Sequence, residues 1–406
     1  MADRFPGGVI SKTPPTVVAP VDGEGGSASG VWTLDEVLGY EKAGAWPKRV
    51  FLKELYAWGN GDAGRTGLNQ TASVSSPVQV GALTDWKQIN ASGTRSAAIK
   101  TDGTMWAWGF GSGGALGDGT TINRSSPVQI GALTTWDNVD TGPTFSTAVK
   151  IDGTLWTWGA NSNGQLGDGT VVYKSSPVQV GSLTSWAVSA AGYLHGLAVK
   201  SDGTLWAWGR NDAGQLGDNT VVRRSSPIQV GALTNWQRID AGNDTSLSVT
   251  TSNALYMWGS NNAGHLGQNN TINVSSPVQV GALTDWRVVA LSSVAGAVSA
   301  VKTDGSLWSW GTGNDGSMGD GTTVNQSSPI QIGALTTWST VACGNEHKLA
   351  VKTDGTLWAW GGQAFTGALG DGTTVNKSSP IQIGALTNWS QVSAGGAFSL
   401  ALSKVT

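Results

Sequence analysis

The chain has 406 residues, 39% of them hydrophobic, 13% charged and 59 of them glycine, a composition that fits a glycine-rich, charge-poor β protein rather than a helical one. With 24 basic and 27 acidic side chains the formal net charge is -3, so no global field favours nucleic acid or an anionic membrane. A single cysteine, Cys343, excludes an internal disulfide framework and a cysteine metal cluster, and the scattered His195, His265 and His347 do not by themselves suggest a metal site.

Residues 1 to 30 hold no long apolar core of the signal-peptide kind, and no stretch is long enough to cross a bilayer. A soluble chain made in the cytoplasm and not inserted in a membrane is therefore expected. The same segment is rich in Gly, Pro, Ser and Thr, and Pro14-Pro15 and the glycines from 23 to 30 discourage regular structure. Thr33-Leu34-Asp35-Glu36 fits a capping box and predicts a short helix near 33–44, with Leu34, Val37 and Leu38 on one face and Trp32, Tyr40 and Trp46 adding aromatic area. Three turns of helix do not hold together alone in water, so the helix must pack on the rest of the chain or on another protein. The segments GGVISKTPP and ASGVWTLDEVLGYEKAGAWP resemble the N-terminal portions of some phage virion proteins, fibre-like ones among them. The resemblance implies an extended attachment arm over residues 1–50, anchored to other virion structural proteins through Phe5, Ile10, Val31, Trp32, Leu34 and Trp46. From the residues alone, a plain linker with a capping helix is an equal alternative.

Beyond residue 50 a short strand ending in Trp-Gly recurs as LYAWG at 55–59, MWAWG at 105–109, LWTWG at 155–159, LWAWG at 205–209, LYMWG at 255–259, LWSWG at 307–311 and LWAWG at 357–361. Successive members lie 50, 50, 50, 50, 52 and 50 residues apart. A second mark, Leu-Thr-x-Trp, places Trp86, Trp136, Trp186, Trp236, Trp286, Trp338 and Trp389 in a parallel series of seven. A fixed period of this length marks a repeat architecture.

Within one unit the pattern predicts strands at Trp186 to Ala190, Gly196 to Lys200, Thr204 to Trp208 and Ser225 to Val230. Asp202-Gly203 suits the hairpin between the second and third, because glycine accepts positive φ. Pro227 belongs at the start or exposed edge of the outer strand, since it cannot donate a ladder bond. Trp206 and Trp208 should face one side of the strand and Leu205 and Ala207 the other, as packing between stacked sheets rather than as a cage for a cation. The first unit lacks two strands and the last supplies only Trp389 to Ser393 and Phe398 to Leu402. Pairing these half-units would leave no open edge, which predicts an all-β, seven-bladed β-propeller over residues 51–406, closed by its N- and C-terminal strands.

The pattern AGxxHxLAVKxDGTLWAWGxNxxGQLG, carried by Ala191 to Gly217, resembles the regulator-of-chromosome-condensation (RCC1) repeat, and the resemblance extends over residues 51–406. It implies a seven-bladed propeller of a family whose members serve as guanine-nucleotide exchange factors, inhibitors of other proteins or recognition modules. Exchange-factor members carry a projecting β-wedge. Here the linkers are nearly uniform, with two extra residues before Trp308 and one before Trp389, so an exchange activity is not expected.

No catalytic, cofactor or metal residue is assigned. The Asp-Gly pairs fit hairpins, and Asp118, Asp168, Asp218, Asp320 and Asp371 occupy equivalent LGDG, LGDN or MGDG loops where local hydrogen bonding is the ordinary role. The glycine runs lack the Lys-Ser/Thr ending of a phosphate loop, and the repeated Asp and Asn oxygens form no EF-hand-like set for calcium.

A repeated scaffold leaves specificity to what differs. One variable set spans 92–96, 142–146, 192–196, 242–246, 291–299 and 344–348; a second follows Trp-Gly, at Phe110, Asn161, Arg210, Asn211, Asn262, Asp315 and Gln363 to Thr366. Basic residues precede several outer strands, at Arg124, Lys174, Arg223-Arg224 and Lys377. The partner-binding candidates are thus Arg95, Phe110, Phe145, Tyr173, Lys174, Tyr193, His195, Arg210, Arg223, Arg224 and His347, facing a cell-surface glycan or a protein and not nucleic acid. The resulting expectation is a non-enzymatic structural protein of the virion, made in the host cytoplasm, with the arm anchored in a phage particle and the propeller displayed for adhesion or decoration. The alternative is a soluble protein-binding propeller that inhibits or regulates a partner enzyme.

Overall fold

The computed structural model describes residues 52–405 apart from 295, 364 and 365. The expected arm, its helix near 33–44 and the anchors Phe5, Ile10, Val31, Trp32, Leu34 and Trp46 lie outside the described residues. Among the described residues the strands form seven four-stranded antiparallel sheets. Six sheets take their strands in sequence order; the seventh combines Val74–Gln79 and Lys53–Gly59 with Phe398–Lys404 and Trp389–Ala394. In that sheet Lys53–Gly59 runs antiparallel to Phe398–Lys404 through an unbroken register from Lys53 opposite Lys404 to Gly59 opposite Phe398. The fold is an all-β, seven-bladed propeller.

One blade shows the local logic. Its strands are Trp186–Ala191, His195–Lys200, Leu205–Gly209 and Arg224–Gln229, each within one residue of the sequence expectation. The outermost pairing runs Ala207 to Ile228 and then skips to Gly209 opposite Arg224, so Pro227 falls in the irregular stretch where no ladder donor is needed. At the hairpin, Gly203 has φ +78, and Asp202 Oδ1 accepts both the backbone N–H of Thr204 at 2.9 Å and its hydroxyl at 2.7 Å. Thr204 Oγ1 in turn accepts the indole N–H of Trp206 at 2.9 Å. The same chain of bonds recurs from Asp102, Asp152, Asp304 and Asp354.

The core is divided among the interfaces between blades. Leu197, Val199, Leu205, Ala207, Leu216 and Val230 of one blade pack against Trp236, Ala241 and Trp258 of the next. The second tryptophan of each Trp-Gly strand is fully buried, and in five of the seven its indole N–H donates to a carbonyl of the preceding blade, as from Trp208 to Gln165 O at 2.8 Å and from Trp258 to Gln215 O at 2.9 Å. Glycine is required opposite it, since a Cβ on Gly117, already at φ +84, would sit 2.7 Å from Trp158 Nε1. In five blades a lysine completes the layer, as where Lys150 Nζ lies 3.6 Å from the Trp156 ring and 4.9 Å from that of Trp136. The other two blades carry Thr250 or Ser403 instead of lysine, and there the outer tryptophan is replaced by Tyr256 or Tyr56.

Candidate functional site

Antiparallel strands fix which connections share an end of the propeller. The Asp-Gly hairpins and the Gly-Ala-Leu-Thr turns occupy one end, where Gly103 O accepts the N–H of Trp136 at 3.2 Å. The two variable loop sets occupy the other and are bonded together. In six blades the residue after Trp-Gly donates to the turn before the second strand: Asn60 N to Ala397 O at 2.9 Å, Phe110 to Thr94 at 3.0 Å, Ala160 to Thr144 at 3.0 Å, Arg210 to Leu194 at 2.9 Å, Ser260 to Asp244 at 2.8 Å and Gly362 to Glu346 at 2.9 Å. What reads as two separate sets in sequence is therefore one face.

The expected partner-binding residues separate on this face. Phe110 and Tyr173 are exposed, Tyr193 is half-buried, and Arg210, Arg223, Arg224 and Lys174 are partly exposed. Arg95, Phe145, His195 and His347 are buried, and this corrects their assignment as contact residues. Arg95 donates to Ala115 O at 3.5 Å and to Pro143 O, while Phe145 packs with Leu166 and Ala191. The two histidines meet serines of the next blade, His195 Nε2 with Ser246 Oγ at 2.8 Å and His347 Nε2 with Ser399 Oγ at 2.9 Å. Burial pushes both imidazoles down to about 3, helped by the charge of Arg210 for the first and Lys348 for the second, so both are neutral at physiological pH.

The basic positions before the outer strands are paired with the loop aspartates: Arg124 with Asp118 at 2.7 Å, Arg224 with Asp218 at 3.2 Å, Lys377 with Asp371 at 3.5 Å and Lys174 with Asp168 at 3.9 Å. They fasten each loop to its strand rather than form a free cationic strip. Asn161 and Asn211 are likewise buried, Asn211 donating to Asp218 Oδ1, Thr220 O and Val222 O at 3.1 Å each. Arg210 bridges blades, 2.8 Å from Asp212 and 3.5 Å from Asp244 of the adjoining turn, and Arg223 lies 2.8 Å from Asp212. Hydrogen bonds from Arg223 and Arg210 hold the Asp212 carboxyl down at about 2. The face offers local charge networks and exposed aromatics, and the two Ser–His pairs just described lie buried beneath it rather than open to a substrate. Among the described residues no group of three or more His, Cys, Asp or Glu is placed to hold a metal ion.

Four innermost strands also carry a feature that sequence reasoning missed. Four residues after each Trp of the Leu-Thr-x-Trp series stand Asn90, Asp140, Ala190, Asp240, Ala290, Ala342 and Ser393. The polar members bond the backbone of the next blade around the axis: Ser393 Oγ accepts from Ala91 N at 2.8 Å, Asn90 Oδ1 from Thr141 N at 3.0 Å, Asp140 Oδ2 from Ala191 N at 2.7 Å and Asp240 Oδ2 from Leu291 N at 2.8 Å. With Ala190 unable to serve Ala241 N, the second oxygen of Asp240 accepts that donor at 2.8 Å. These residues line a cavity of about 120 Å³. Variation at one fixed offset was the available signal.

Comparison with known proteins places this geometry. Residues 50–298 match the family model described as the RCC1-like domain, and residues 304–351 and 354–402 match the regulator of chromosome condensation (RCC1) repeat. The structure is similar to Prp20p from Saccharomyces cerevisiae, with TM-score 0.78 and 21% identity over 88% of this chain and 93% of that one; that protein is described for its binding to Gsp1p and histones. It is also similar to yeast RCC1 (Prp20) in complex with Kap60, with TM-score 0.77, 21% identity and coverage of 89% and 92%. Human WBSCR16 gives TM-score 0.76 at 18% identity over 87% of this chain and 99% of that one. At these identities the likeness establishes the fold.

The virion assignment is corrected by the same findings. The matched chains named above are yeast and human propellers, not components of a phage particle. This overturns the expected adhesion or decoration role, the virion structural partners of residues 1–50 and the virion localisation. The error came from a short Gly- and Pro-rich segment with spaced aromatics, a composition that many unrelated linkers share. Among the described residues no helix is long and apolar enough to cross a membrane.

Proposed function

The chain belongs to the RCC1-like domain family, and from that premise we propose that it is a protein-binding propeller that regulates or inhibits a partner through the variable end. The observation that carries this is the bonding of both variable loop sets into one face on a rigid frame. Phe110, Tyr193, Arg210 and Arg223 are the residues we assign to contact, because they reach solvent on that face. Tyr173 extends the aromatic surface at its rim. Charged groups there contribute mainly to orientation and rate of encounter, and the exposed aromatics to affinity. Residues 1–50 are assigned no part in this contact, and the propeller over 51–406 is proposed to suffice.

The test is affinity capture with Gsp1p, histones and cell extract, the first two chosen from what the yeast relative binds. A variant carrying Phe110→Ser, Tyr193→Ser and Arg210→Glu should lose a captured protein that a variant carrying Leu133→Ser and Leu183→Ser at the opposite end keeps. Equal retention by both variants would reject the assignment of the face.

A further inference from the structure

Asp140 and Asp240 belong to different blades yet line the same cavity of about 120 Å³ along the axis. Among the described residues neither makes an ion pair with a lysine, arginine or histidine. Hydrogen bonds use part of their capacity: Asp140 accepts from Ala191 N and the Asn90 amide of the flanking blades, and Asp240 from Leu291 N of the next blade and Ala241 N of its own strand. An ionised carboxylate can accept about four hydrogen bonds, so each retains free lone pairs. Two carboxylates facing one confined space without a cation are costly unless a proton or a bound cation intervenes. Burial raises Asp140 to about 6, and burial with the charge of Asp140 raises Asp240 to about 7, which shows how little the surroundings compensate them.

A second observation points into the cavity. Ser92 lies two residues beyond Asn90 on the same strand, hence on the same face, and lines the cavity with them. It is 6% exposed, and its hydroxyl oxygen has no hydrogen-bond partner. Five of the six other blades have glycine at this position, so the hydroxyl is not demanded by the fold. An unused buried hydroxyl beside two uncompensated carboxylates is a set of acceptors awaiting a donor.

We propose that the axial cavity seats one primary ammonium group, held by Asp140 and Asp240 with Ser92 Oγ as a further acceptor. Such a group carries one charge and three N–H donors, which matches this set. A divalent metal is less well matched: Cys343 also lines the cavity, but among the described residues it does not form with the pair a group of three placed to hold a metal ion. A quaternary ammonium would need an aromatic cage, and no aromatic side chain lines the cavity. The ammonium can come from a free alkylamine or from a lysine side chain of a bound protein; only the second source rests on the protein-binding function proposed above.

The test is calorimetric titration of the full chain at pH 6 and fixed ionic strength with n-butylammonium chloride, with tetramethylammonium chloride and with the blocked peptide acetyl-Gly-Lys-Gly-amide. Butylammonium should bind and release protons to the buffer, seen as a heat that varies with buffer ionisation enthalpy, and tetramethylammonium should not bind. Asp140→Asn and Asp240→Asn should each weaken butylammonium at least tenfold, and Ser92→Ala, which spares every interblade bond, about fivefold. Binding of the peptide as well identifies a protein lysine as a source, whereas butylammonium binding alone identifies a small amine; both support the seat. Equal behaviour of the two ammonium salts, or butylammonium affinity unchanged in Ser92→Ala and the Asn variants, would overturn it. Capture of a protein partner has a separate readout, so either proposal can fail alone.

Discussion

The two ends of the propeller solve different problems with the same strands. At the hairpin end, five blades repeat one bonded unit in which aspartate holds a hydroxyl residue, threonine in four and Ser306 in the fifth, that residue holds the outer tryptophan, and lysine lies against that ring. At the loop end, the connection between strands is bonded to its neighbour in six of the seven blades, yet the side chains it displays differ from blade to blade. One blade sharpens the contrast. Where Ser252-Asn253 stands in place of Asp-Gly, the lysine becomes Thr250 and the tryptophan Tyr256, and Asn253 takes the positive φ of 61 that glycine has elsewhere. The unit is kept or lost as a whole, which indicates that its members are there for one another. Nothing comparable constrains the loop end, so differences accumulate where a partner can read them.

The comparison breaks if changes at the scaffold prove silent or changes at the displayed loops prove structural. Trp208→Ala should cost about 3–5 kcal/mol in urea unfolding, since a buried ring and a bond to the preceding blade go together. Gly117→Ala should cost about 2–3 kcal/mol, combining positive φ with a clash against Trp158. The axial pair predicts a pH effect. Asp140 and Asp240 hold protons in the fold up to about 6 and 7, whereas the unfolded groups lose theirs near 3.8. Folding therefore takes up protons between about pH 4 and 7, and stability should decline as pH rises through that window, by on the order of 2 kcal/mol once residual solvent is allowed for. Denaturation midpoints measured across that range should flatten in Asp240→Asn. Asp202→Ala at the hairpin end should cost about 1 kcal/mol, the net worth of its bonds to Thr204. Phe110→Ser at the loop end should change stability by less than about 0.5 kcal/mol while weakening capture of a partner.

The blade count and strand order were legible because a seven-fold repeat writes the same packing demand seven times. Trp208 and its equivalents gave the period, and the Asp-Gly pairs gave the hairpins. The candidate contacts were legible only in part. Arg95, His195 and His347 stood out for varying in type, but variation also occurs at positions facing the next blade, where Ser246 and Ser399 await them. The basic residues before the outer strands looked like a strip because their aspartates lie six residues upstream, across a loop whose path the sequence does not reveal. Asp140 and Asp240 escaped notice for the opposite reason: a hundred residues separate them, and only closure of the ring sets them around one axis.

That closure makes the order of synthesis arbitrary with respect to the finished shape. Val405 N donates to Leu52 O at 2.9 Å, so a short peptide joining these residues could relocate the termini to any turn of the hairpin end, such as 231–235. Whereas a break in a hairpin such as 201–204 would split one blade elsewhere, a chain permuted at 231–235, which joins two blades, would carry seven uninterrupted blades. Its folding rate would then report how much of the barrier lies in bringing the first and last strands of the natural order together.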